Sequence, residues 1–190
     1  MLGYAPTTSS GGGPVYSAIY ANINGPIGWT FQTTIALNVT ALGVLDYLVT
    51  RAGLEVGLWD SSGNLLASET ITSADTPVNQ SLYQSIAPVL LTASQACFFA
   101  AYASGLPLPA VVVTPGTAPN GYATMSPDIR LGEVALGENS GFAFPGTIEG
   151  NPGSAIIAPN FEYHAAPEPA AASLLGAGTI QQRWQVVVFV

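Results

Sequence analysis

The sequence predicts an all-β protein: an antiparallel β-sandwich, jelly-roll-like, followed by a short C-terminal apolar tail able to form a helix. Three observations carry this. Short segments alternate apolar and polar residues with a period of two, as half-buried strands do. Turn-forming residues recur about every 8–12 positions, the spacing of sandwiches and barrels. No helical period of useful length occurs before residue 170.

Taken in order, residues 1–15 are rich in Gly, Ser, Thr and Pro and read as a flexible lead. The start has neither a basic nor an apolar signal region, so an export signal is expected to have been removed or to lie upstream of Met1. Residues 16–164 form the expected sandwich domain. Ile27–Thr33 alternates large and small or polar residues, Val39–Leu45 is rich in β-branched residues, and Leu54, Val56 and Leu58 give the next strand one apolar face. Asp60-Ser61-Ser62-Gly63-Asn64 is a hairpin turn by composition, with Gly63 free to take positive φ. Leu65–Ile71 returns from it. Ser81–Ile86 is a short strand, Val89–Leu91 leads into a turn at Thr92–Gln95, and Ala96–Ala103 fits a central strand buried on both faces. Val111–Val113, Tyr122–Met125 and Ile129–Val134 are weaker strands. Residues 135–159 read as loop, and Ile156–Tyr163 as the last strand.

Composition narrows the function. The chain has 190 residues, 3 Arg, no Lys and 11 acidic residues, for a net charge of −8. Charged residues make up 7%, against about 25% in ordinary globular domains. A phosphate backbone or an anionic lipid surface demands several clustered cations, and three scattered Arg cannot form such a patch. Nucleic acid is therefore not expected as a partner. Nor does the low charge signal disorder, since 48% of the residues are hydrophobic.

Residues for chemistry are scarce, and the expectation is a protein that is not an enzyme. The single cysteine, Cys97, sits in an apolar run and reads as a buried, inert thiol. His164 is the one histidine, marking the end of the last strand. A Cys97–His164 dyad is the formal catalytic alternative, and the two residues are too few for a zinc site. The acids are dispersed and no pair stands out by spacing. Calcium is the most plausible ion, because it accepts oxygen ligands; Asp46 and Asp60 each end a strand and are its candidate ligands, with Asp60 the better turn cap. For sugar binding, the candidates are exposed rings at Tyr122, Phe142 and Phe144, with Tyr47 and Tyr102 behind them. The loop Gly141–Gly146 is the preferred apolar site, and packing back on the sandwich is its competing role. Trp29 and Trp59 lie in strong strand patterns and are expected in the core.

Residues 165–190 change character. Pro167-Glu168-Pro169 is followed by Ala170-Ala171-Ala172-Ser173-Leu174-Leu175-Gly176-Ala177-Gly178. This segment resembles the bacterial sorting tail called PEP-CTERM. The resemblance implies export, recognition by an exosortase-type membrane protease, and release to the cell surface or extracellular matrix of an exopolysaccharide-producing bacterium. The tail is irregular: its apolar run, Ala170–Ile180, is about half of the roughly 20 residues a membrane span needs, as a truncated reading frame would leave it. A single Arg183 stands where a basic cluster is usual. The body, over Val39–Asp46, Glu55–Ser68 and Ile86–Gln95, is similar to a bacterial extracellular domain family of unknown function. That likeness implies a sandwich and supplies no catalytic residues. The expectation is therefore a secreted structural or adhesive matrix protein, self-associating through strand edges. The alternative is a carbohydrate-binding module that attaches to extracellular polysaccharide.

Overall fold

A computed structural model describes residues 25–45, 53–75, 77–78, 81–103, 112–113, 126–137, 141–149, 155–156, 159–167 and 185–186. Among them there is no helix, and so none long and apolar enough to cross a membrane. Asp46, Tyr47, Tyr122, Glu168, Pro169 and the lead lie outside the described residues.

The strands are β1 (Ile27–Thr33), β2 (Leu37–Leu45), β3 (Leu54–Asp60), β4 (Leu65–Ile71), β5 (Pro77–Val78), β6 (Ser81–Leu91), β7 (Ala96–Tyr102), β8 (Val112–Val113), β9 (Ile129–Leu136), β10 (Thr147–Glu149), β11 (Ala155–Ile156), β12 (Pro159–Ala165) and β13 (Gln185–Val186). They form two antiparallel sheets, ordered β10-β9-β1-β7-β3-β4 and β13-β12-β2-β6-β5, and a small pair, β11-β8. The two large sheets make an all-β sandwich.

The pairing is nested. β3 and β4 form a tight hairpin, β2 pairs with β6 outside it, and β1 pairs with β7 outside that. β3 also pairs with β7, giving the run β1-β7-β3-β4. A long hairpin rolled up on itself produces this order, which is the jelly-roll plan. β9 then adds to β1, and β12 to β2.

Alternation decides which side chains meet between the sheets. β1 sends in Ile27, Trp29 and Phe31; β3 sends in Leu54, Val56 and Leu58; β7 sends in Cys97, Phe99 and Ala101. The facing sheet supplies Leu37, Val39, Leu42, Val44, Leu82, Leu91, Phe161 and Tyr163. Phe161 is the hub. It is 0% exposed, stacks on Trp29 at 6.0 Å and 13°, and touches Phe31 at 5.1 Å and Phe99 at 5.3 Å. The Trp29 indole N–H donates to the Pro159 carbonyl at 3.0 Å, joining the sheets by a buried hydrogen bond.

Three expectations need correction. Ser81–Ile86 and Val89–Leu91 are one strand: Thr40 on β2 stands opposite Ile86-Ala87-Pro88, so a bulge absorbs Pro88, which has no N–H to donate. The stretch 135–159 is not all loop, because β9 runs on to Leu136 and β10 pairs with it. The strand expected over Ile156–Tyr163 is β12, which begins at Pro159 and ends at Ala165, and the two-residue β13 pairs beyond it. β7 is central, as expected, yet Ala96 is exposed and Phe98 and Tyr102 only half-buried, so its outer face is partly open.

Candidate functional site

The outer face of the six-stranded sheet carries the main cluster of candidate residues. Leu54, Val56 and Leu58 face the core, so Glu55, Gly57 and Trp59 point the other way. Trp59 is 3% exposed, but it is buried outside the sandwich, not within it. This corrects its assignment to the core. Phe98 neighbours it on β7, since Trp59 pairs with Phe98 in register.

What covers Trp59 is the loop between β9 and β10. Phe142 lies 5.3 Å from the Trp59 ring at 42°, and Phe144 lies 6.5 Å from it at 61°. Phe144 also meets Phe98 at 4.7 Å and 59°. Gly57 makes this approach feasible: a Cβ there would come within 2.3 Å of Trp59 and 2.7 Å of Phe142. Phe142 and Phe144 remain half-buried, and Leu65, which pairs with Trp59, is 48% exposed. Phe142 and Phe144 are each tilted against Trp59, and Phe144 against Phe98. Such a set latches the loop to the sheet through edge-and-face contacts. These three ring pairs, at 42–61°, do not form the flat stack a pyranose face would lie upon.

Asp60 borders this cluster at the β3–β4 turn. Its Oδ1 accepts from the Ser62 and Asn64 backbone N–H groups at 2.8 and 2.9 Å, and its Oδ2 accepts from the Asn64 amide at 2.8 Å. The Asn64 side-chain bond, followed by the backbone bonds, holds the carboxyl below its ordinary range. Gly63 closes the turn at φ +84°, a left-handed conformation. The turn therefore engages both carboxylate oxygens. Among the described residues, no three His, Cys, Asp or Glu side chains converge as a metal site would require.

Cys97 and His164 are not brought together. Cys97 faces the core from the six-stranded sheet, whereas His164 alternates with the core residues Phe161 and Tyr163 and points away on the other sheet. Burial, reinforced by the Asp60 charge, pushes the Cys97 thiol up to about 12, so it is neither a thiolate nor accessible at neutral pH.

The other sheet has a polar feature that sequence patterning did not single out. Asn160, 0% exposed, donates from its amide to the Ser81 hydroxyl at 2.9 Å. Asn160 and Tyr83 flank Gly43 across the sheet, and burial pushes the Tyr83 phenol well above its usual range. Burial likewise raises the Glu162 carboxyl, two pairing positions further along the strand. Asn160 reads only as one residue of the last strand, and no local signal marks its amide as buried, because its partner Ser81 lies 79 residues away.

Beyond β12, the Ala166 N–H donates to the Ala36 carbonyl at 2.8 Å, and Pro167 is exposed. The chain matches no known family model, no curated protein and no solved structure.

Proposed function

We propose that this chain is a structural or adhesive domain of the bacterial cell surface or extracellular matrix, exported and sorted through its C-terminal segment. The observation that carries the reading is the position of Pro167-Glu168-Pro169. β12 ends at Ala165, and the tripeptide starts two residues later at an exposed proline, ahead of the small-residue apolar stretch. A processing enzyme would find the first residue of the motif, Pro167, exposed just past the end of β12. The cation-poor, net-acidic composition, with no Lys and 3 Arg in 190 residues, also suits a matrix component better than a nucleic-acid or anionic-membrane partner.

Expression of the full chain behind an export signal in an exosortase-bearing Gram-negative host tests this. The wild type is expected outside the cell with a mass lowered by loss of the tail. The triple substitution Pro167→Ala, Glu168→Ala, Pro169→Ala is expected to stay cell-associated and full length. Identical location and mass for both would refute the sorting role.

The carbohydrate-binding reading keeps one support: the half-buried rings of Phe98, Phe142 and Phe144 beside the polar Asp60–Asn64 turn. A glycan array run with and without a chelator separates the two. Binding to one polysaccharide, retained across the array and lost in Phe144→Ala, would overturn the purely structural reading, and a chelator effect would bring calcium into it.

A further inference from the structure

We draw no further inference here: the strongest candidate, the half-buried ring cluster of Phe98, Phe142 and Phe144 packed on Trp59 at the outer face of the six-stranded sheet, is an apolar surface with nothing in the structure to show what covers it.

Discussion

Replacing Gly57 by alanine inserts one methyl group under the Trp59 and Phe142 rings. The added Cβ would stand 2.3 Å from Trp59 and 2.7 Å from Phe142, far inside van der Waals contact. Overpacking of this kind costs about 1–3 kcal/mol. Alanine recovers about 0.5–1 kcal/mol of the backbone entropy that glycine loses in a strand. The net expectation is a destabilisation of about 1–2 kcal/mol. With a urea m-value of about 2 kcal/mol/M for a domain of this size, the midpoint falls by about 0.5–1 M at unchanged m. Phe142→Ala alone removes a half-buried ring and costs about 1–2 kcal/mol. Combining the two should cost less than their sum, by at least about 0.5 kcal/mol, because the methyl then enters the space the ring has left. Urea titration of the four proteins, followed by circular dichroism, measures the cycle. A Gly57→Ala midpoint at or above the wild-type value, or strict additivity, would refute the idea that Phe142 latches the loop over Gly57.

Phe161→Ala should cost about 3–5 kcal/mol, the largest loss among single ring truncations, because four aromatic neighbours surround a fully buried side chain; a loss no greater than that of Phe142→Ala in the same titration would contradict its central place. Cys97 should fail to react with a thiol reagent in the native protein and react at once in denaturant, and prompt native labelling would show that the core admits solvent there. The Asp60 carboxyl, lowered by its turn, contributes stability that is present above the unfolded pKa and lost as pH falls through the folded one. Glu162, raised by burial, works oppositely: its contribution is present below the unfolded value and lost as pH rises through the folded one. Asp60→Asn should therefore flatten the acid limb of a thermal-melt pH profile and Glu162→Gln the limb above it, and unchanged limbs would reject these assignments.

Much of the sandwich was legible because period-two alternation survives wherever one face of a strand is buried and the other is not. Ile27–Thr33 and Leu54–Asp60 have the expected bounds, and the Asp60–Asn64 turn is capped as its composition implies. Trp59 shows where the reading failed and why. A strong strand pattern places Trp59 in the core, yet its parity with Glu55 and Gly57 sets it on the face opposite Leu58. The partner that buries it comes from a loop more than 80 residues later in the chain (Phe142, Phe144), and no local pattern encodes that meeting. Pro88 failed in the other direction: a proline reads as a break, but a bulge absorbed it. Phe142 and Phe144 were legible as aromatic loop residues. Their tilt against Trp59, 42° and 61°, exists only in three dimensions.

The hub of the core sits almost at the end of the sandwich. Phe161 belongs to β12, and β12 pairs with β2, a strand more than 110 residues earlier. The inner hairpin and the β2/β6 and β1/β7 pairs can zip in succession from the middle outward, each step closing a loop already shortened by the last. The ring between Trp29, Phe31 and Phe99 is delivered only when residue 161 becomes free to fold. A polypeptide emerging vectorially, N-terminus first, thus keeps its apolar interior open until nearly all of the domain has emerged. In that interval the exposed β2 edge and uncovered rings are what a holding chaperone would bind.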